Sequence, residues 1–264
     1  MDIKSNSPDL WNEALPVKKD SGHKYDAGHA FIYAAPEMTG ATRLAATACA
    51  RMGVGLVTVL CKDDTYDIFR GSLPAHIIAR NDLSYYHDKL SARLYGSGGM
   101  ACKIDFGVDV PTVLDAAALK HLPETLSPHY ILTPHEGEFA KTFPDISGDK
   151  ENAARVAAQM VNAIIVLKGQ KTVIAAPDGR VVVNTHASPY LATGGTGDVL
   201  AGMITGLLAQ KMPSFEAACA GVWMHGEAGI ALGAGLVASD IEIILPKILT
   251  MLHQRKNHSK PGFL

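Results

Sequence analysis

Short aliphatic runs alternate with alanine-rich or amphipathic stretches from Ala30 to Lys168. This alternation constrains the fold more than any other feature of the chain. Residues 30–35 form one such run. A Pro and Gly break then leads into residues 39–52, with apolar positions at helical spacing, and GLVTVLC over 55–61 is strand-like again. That is a βαβ unit. The pattern recurs as AHIIA at 75–79, PTVLD at 111–115 followed by AAALKHL, and HYILTP at 129–134 followed by EGEFAKTF. A helix over 149–162 then precedes AIIVLK at 163–168. Continuous apolar runs read as strands buried on both faces, so an α/β sheet covered by helices is expected. TVIAAP at 172–177 and VVVN at 181–184, parted by Asp178-Gly179, predict a hairpin. From about Gly197 to His253 the pattern is nearly all helical. Residues 1–24, polar with two prolines, read as an N-terminal arm on a domain spanning 25–255, with a C-terminal tail over 256–264.

The chain has 264 residues, 47 % of them apolar and 19 % charged, with a net charge of −2. It is long enough for one large core and lacks a charge excess that would draw it to nucleic acid or a membrane surface. An anionic ligand must therefore be held locally. The N-terminus lacks the apolar core of a signal peptide, and no window reaches roughly 18 uninterrupted apolar residues. Cys49, Cys61, Cys102 and Cys219 are scattered without a C-x-x-C pair, which argues against a disulfide framework or a zinc site and fits a reducing cytoplasm.

The chemistry concentrates in YLATGGTGDVLAG, residues 190–202. Glycines let backbone N–H groups converge on one point, and a helix beginning near Gly197 directs its positive end there, which makes an anion hole. An acid at that helix start, Asp198, can take a proton from a hydroxyl attacking a bound phosphoryl group. An ordinary glycine turn with an Asp N-cap explains the same residues equally well. In TPHEGEF, residues 133–139, Glu138 lies one turn beyond His135, where a carboxylate suits a hydrated Mg²⁺; acids favouring a helix dipole are the plainer explanation. LKGQKT, residues 167–172, offers a lysine, a backbone glycine and a hydroxyl, or is a plain turn. GSGGMA at 96–101 matches G-x-G-x-x-A, with Asp115 near the position of a ribose-binding acid. An NAD-dependent oxidoreductase is set aside because the preceding SARLY is short and CKIDFGVDVP cannot supply the required helix.

In order along the chain, HK at 23–24, GA at 40–41, TPHEGEF, VLKGQKT, ATGGTGDVLAG and HGEAG at 225–229 resemble the ribokinase-like NAD(P)H-hydrate dehydratase family over about residues 23–250. The resemblance implies a three-layer α/β/α fold with a central, mostly parallel sheet. It implies repair of the S-epimer of hydrated NADH or NADPH: ADP or ATP phosphorylates the ring hydroxyl and phosphate then leaves. By the same resemblance Asp198 is the catalytic base, and Gly195, Thr196 and Gly197 form the anion hole. Lys168, Gly169, Gln170, Lys171, Thr172 and Gly197 line the ADP/ATP site, while Ala41, Gly98, His135 and Asp198 line the hydrate site. The resemblance also implies that Glu138 orders Mg²⁺ through water and that the enzyme is a homotetramer, while the charge balance, cysteines and polar N-terminus lead us to expect a cytoplasmic protein with neither nucleic-acid nor membrane partners. A small-molecule kinase of the hydroxymethylpyrimidine or hydroxyethylthiazole type would share the loop, and a non-catalytic nucleotide-binding relative is a third reading. Retention of Asp198 and Glu138 argues against the last. The chain departs from the family at Tyr95-Gly-Ser-Gly-Gly-Met100, where a G-P-G-L-G turn is usual. Asp115-Ala-Ala-Ala-Leu119 lacks the second acid of D-A-D-A-L, and HASPYL at 186–191 blurs the segment before the glycine loop.

Overall fold

A computed structural model describes residues 3–18 and 21–258. The strands are β1 (Ile3–Ser5), β2 (His29–Tyr33), β3 (Leu56–Leu60), β4 (Ile77–Arg80), β5 (Leu90–Tyr95), β6 (Thr112–Leu114), β7 (Tyr130–Leu132), β8 (Ile164–Leu167), β9 (Thr172–Ala175) and β10 (Val181–Asn184). They form one sheet in the order β1-β10-β9-β8-β7-β6-β5-β2-β3-β4. Every neighbouring pair is parallel except the two that β9 makes, with β8 and β10. Typical register partners are Leu94 with Val113 and Ile131 with Ile164, aliphatic across each pair because both faces are covered.

The helices are α1 (Thr39–Arg51), α2 (Asp63–Ser72), α3 (Glu136–Thr142), α4 (Lys150–Val161), α5 (Thr196–Ala209), α6 (Ser214–Leu232) and α7 (Ala238–His258). One core joins α1, α5, α6 and α7 to one face of the sheet, and a second packs α3 and α4 on the other. The result is the expected three-layer α/β/α architecture. Among the described residues no helix is long and apolar enough to cross a membrane.

Helix α5 determines where the glycine loop sits. It is buried almost all round, which explains why its sequence shows no polar face. Two of its glycines let α1 approach closely. A Cβ on Gly202 would run into the Ala45 carbonyl, and one on Gly206 would come within 2.6 Å of the Cys49 carbonyl. The N-terminus of α5 is thereby held beneath one edge of the sheet.

The structure differs from the sequence expectations at several points. SARLY is the end of a six-residue strand, β5, at the centre of the sheet, with its last four residues buried. No helix follows it over residues 100–111, in keeping with the rejection of the dinucleotide fingerprint. AAALKHL is a 3-10 segment (Ala116–His121) instead of an α-helix. The turn after β5 leaves little space there: Gly96 lies against the Asp115 carbonyl, and a Cβ on it would come within 2.8 Å of the Ala118 Cβ. At the N-terminus, β1 extends the sheet beside β10, and Trp11 is buried against Trp223 at 5.9 Å between rings. Residues 1–2 and 19–20 of the expected arm, and 259–264 of the expected tail, lie outside the described residues.

Candidate active site

In a parallel sheet the carboxyl ends of neighbouring strands share one edge, and side chains just beyond those ends converge. Ser97, Asp115, Thr133 and Lys168 follow β5, β6, β7 and β8 by one or two residues, and these four strands are consecutive in the sheet. Asp115 is the hub and is 2 % exposed. Its Oδ1 accepts from Thr133 Oγ1 at 2.6 Å and from Lys168 Nζ at 3.1 Å. Its Oδ2 accepts from Ser97 Oγ at 3.4 Å.

The glycine loop reaches this cluster from below. Gly195 is the N-cap of α5, in the left-handed region at φ 90°, and a Cβ there would come within 2.6 Å of Leu44 Cδ1. Glycine is therefore required both by backbone angle and by space. The Thr196 hydroxyl donates to the Leu191 carbonyl at 2.8 Å. Its contribution to an anion site is thus its main chain. The first intrahelical bond runs from Val199 N–H to the Gly195 carbonyl, so the amides of Thr196, Gly197 and Asp198 precede the helical ladder and carry its positive end. Asp198 stands in the first turn and is not the N-cap, which removes the plain capping explanation for its presence.

Burial and, second, the neighbouring Asp115 carboxylate push Asp198 up to about 6 from an ordinary 3.8; hydrogen bonding from Ser97 and the Lys168 ammonium pull the other way. The Lys168 ammonium lies over the helix start, 3.3 Å from where a Gly197 Cβ would sit. A cation, a row of main-chain amides and a carboxylate with a raised pKa thus meet at one point. The arrangement can hold an anion and remove a proton beside it.

The structure also places the other expected residues. Gly98, at φ 82°, rests against α1, and a Cβ there would lie 2.9 Å from that of Ala41, so these two residues lie together. The unusual GSGGM turn uses positive φ at Gly96, Gly98 and Gly99, which turns Ser97 inward. His135 caps α3: its Nδ1 accepts from the Gly137 amide at 3.0 Å, and Glu138 Oε2 accepts from the His135 amide at 2.9 Å. Glu138 therefore has one oxygen committed to the cap. The segments around His135 and Lys168 are bridged side by side, with the Lys168 amide donating to the Pro134 carbonyl at 2.8 Å. Gly169, Gln170 and Lys171 form an exposed tip, and Thr172 starts β9 at the same edge. Lys150 braces this loop by donating to Glu136 at 2.8 Å and to the Lys168 carbonyl at 3.3 Å.

HGEAG gains a physical meaning as the support of the glycine loop. A Cβ on Gly226 would run into the His186 carbonyl, and one on Gly229 would come within 2.6 Å of Leu191 Cγ. Glu227 binds His186 at 2.7 Å, and that imidazole stacks on Trp223 at 4.6 Å. One ring nitrogen of His225 meets the Thr196 backbone, while the buried Nε2 has no hydrogen-bond partner among the described residues. Burial lowers His225 to about 4, so the ring is neutral at pH 7.

Comparison with known proteins decides the family. The family model for NAD(P)H-hydrate dehydratase matches residues 31–245. The chain belongs to the NAD(P)H-hydrate dehydratase family. It is 35 % identical over 255 residues to an ADP-dependent (S)-NAD(P)H-hydrate dehydratase of Neisseria meningitidis, covering 85 % of this chain and 86 % of that protein. It is also 33 % identical to a bifunctional NAD(P)H-hydrate repair enzyme of Moorella thermoacetica, covering 91 % of this chain and 52 % of the relative. The chain thus spans about half the length of that bifunctional protein. Among solved structures, an ADP/ATP-dependent NAD(P)H-hydrate dehydratase of Bacillus subtilis, co-crystallised with ATP and Mg²⁺, is 28 % identical. It superposes with a TM-score of 0.82 over 96 % of this chain and 99 % of that one.

Within this NAD(P)H-hydrate dehydratase family member, sequence reading does not single out Ser97, Thr133 or His225. It presents Asp115 only as a ribose acid or the remnant of a motif. The available signal was positional: Asp115, Thr133 and Lys168 each come directly after an apolar run, where a parallel strand delivers side chains to the binding edge.

Proposed function

We propose that this family member restores NADH or NADPH from its S-epimeric hydrate with ADP or ATP as phosphoryl donor. The observation that carries the reading is Asp198, a half-buried carboxylate with a raised pKa, at the open amide end of α5 and beside Lys168. The Asp198 carboxylate takes the proton of the hydrate hydroxyl as that oxygen attacks the donor's terminal phosphorus. The new P–O bond forms as the bond to the donor breaks, releasing AMP from ADP or ADP from ATP. Main-chain amides at 195–197 and the Lys168 ammonium stabilise the charge on the transferring group. Phosphate then leaves with the C–O bonding pair, and loss of a proton from the adjacent ring carbon restores the double bond. Ala41 and Gly98, already in contact, and His135 supply walls for the hydrate; the 168–172 loop receives the donor.

A hydrated Mg²⁺ fits this arrangement, because such an ion requires only one or two carboxylates besides phosphate oxygens, and Glu138 retains an oxygen outside its cap. When bound, the ion screens phosphate charge. Among the described residues no group of three or more His, Cys, Asp or Glu side chains forms a metal cage. A cytoplasmic homotetramer completes the reading. The small residues of α6 are buried within the chain itself and give that assembly no support; exposed Ile230, Val237, Ile243 and Met251 leave apolar surface for it.

The test is to supply chemically hydrated NADH with ADP or ATP and Mg²⁺ and to follow reduced-nicotinamide absorbance together with phosphate release. Recovery of both is expected, with activity falling as the pH drops below about 6, because Asp198 must be ionised to accept the proton. A phosphorylated product that persists without recovery of absorbance would instead establish a small-molecule kinase. Lys168→Met should raise the KM for ADP by about tenfold or more, since a charge-assisted contact to phosphate is lost. An unchanged KM would remove Lys168 from the donor site.

A further inference from the structure

Asp115 lies outside the base and the donor loop, yet it contacts Lys168 of the donor loop and its charge reaches the base through space. Its carboxylate is almost fully buried, and three donors from three different strand ends converge on it: Ser97, Thr133 and Lys168. A buried carboxylate with one cationic partner is costly unless its geometry is well satisfied. Hydrophobic packing at this position would cost less, so the charge itself calls for an explanation. Two consequences follow from where it stands. Through Oδ1 it anchors the Lys168 ammonium over the start of α5. Through space it opposes the Asp198 carboxylate, and Ser97, whose single hydroxyl proton is directed at Asp115 Oδ2 at 3.4 Å, also lies within reach of Asp198.

We propose that Asp115 is the positioning residue of this site, holding Lys168 at the phosphoryl seat and, by like charge across Ser97, making Asp198 a stronger proton acceptor. The proposal rests on the reading of Asp198 as the base. It accounts for three features together: the buried acid after β6, the inward turn of Ser97 at the positive-φ glycines, and the placement of Lys168 against Asp115 and over the start of α5. The charged and titratable groups facing Asp198 are Asp115 and Lys168. His225, from α6, faces Lys168 and the Thr196 backbone; it stays neutral above about pH 4 and leaves the titration window of Asp198 to the other two. Burial remains the larger cause of the raised Asp198 pKa, so removing Asp115 should shift it without returning it to the value of an exposed carboxyl.

The experiment titrates Asp198 directly in the full chain, without substrate. Carboxyl-¹³C NMR of Asp-labelled protein supplies the signal, and its loss in Asp198→Asn identifies the resonance. In Asp115→Asn, which retains the side-chain volume, the midpoint should fall by about one pH unit, a tenfold change in proton affinity. The acid limb of kcat against pH should move down with it, and kcat on the plateau should fall about tenfold as Lys168 loses its anchor. A midpoint that stays in place or rises overturns the proposal. If Asp115→Asn does not fold, Asp115→Asn/Lys168→Met, which removes the buried pair together, is compared with Lys168→Met, and the same downward shift is required. The titration needs no turnover, so it stands or falls separately from the dehydratase reading. Absence of activity on hydrated NADH with a shifted midpoint refutes the reaction and retains the coupling; activity with an unshifted midpoint does the reverse.

Discussion

Asp198→Asn is expected to lower turnover by about 10³-fold while leaving ADP affinity close to that of the unaltered chain and making the fold more stable. Turnover falls because an amide cannot accept the hydroxyl proton. Donor affinity should survive because the groups proposed to hold phosphate, the amides of residues 195–197 and Lys168, are unaltered. The stability gain follows from linkage. The Asp198 pKa is raised from 3.8 to about 6 on folding, so the folded state binds its proton more tightly than the unfolded chain does. That contribution to stability is present at low pH and is lost as the pH rises through about 6. At pH 7 the half-buried, ionised carboxylate therefore costs about 2 kcal/mol once solvent screening is allowed for, which asparagine removes. Thermal unfolding should show a higher Tm for the variant at pH 7 and little difference near pH 4. Calorimetric titration with ADP checks the binding half, and loss of ADP binding together with turnover would mean that Asp198 holds the loop together structurally.

The second large effect is at a position with no chemical group at all. Gly226→Ala should destabilise the chain by about 3 kcal/mol, because an added methyl runs into the His186 backbone carbonyl and overpacking of this kind forces main chain to move. The movement is transmitted to the site. His186 begins the segment that ends at the glycine N-cap of α5, and it is tied to the same turn of α6 through Glu227 and Trp223. Activity should therefore fall more steeply than the folded fraction, since a shift of about 1 Å in the phosphoryl seat costs on the order of 10²-fold. Urea unfolding and turnover measured under fully folded conditions separate the two contributions. Gly71→Ala serves as the control: it lies in α2 with nothing within 4 Å of the added methyl, and replacing a helical glycine should stabilise by up to about 1 kcal/mol. Equal losses in the two variants would refute the packing argument.

Much of the fold is legible because its signals are local. The apolar runs at 30–33, 56–60 and 164–167 read as buried strands without knowledge of their neighbours, and Asp178-Gly179 marks the hairpin from its turn preference alone. The helical pattern through the last third is equally direct, since period and composition are properties of a single segment. β1 escapes notice because three exposed residues carry no pattern and join the sheet only by pairing with β10. AAALKHL, a helix by composition, is a 3-10 segment packed closely against the turn that follows β5, where Gly96 leaves room for the Asp115 carbonyl.

The same division runs through the site. Glycines before an acid at the start of an apolar helix carry their meaning within a few residues, so the proposed anion seat and Asp198 could be read from sequence. The pairing of Asp115 with Lys168, 53 positions apart, could not. It depends on β6, β7 and β8 lying side by side with their carboxyl ends at one edge, a consequence of parallel packing and α/β crossover that no short window contains. Sequence by itself determined most of the strands and helices and picked out the glycine loop ahead of Asp198, because those follow from local periodicity and backbone freedom. Only the tertiary structure decided which charges meet around Asp198, because an electrostatic environment is set by distances through space.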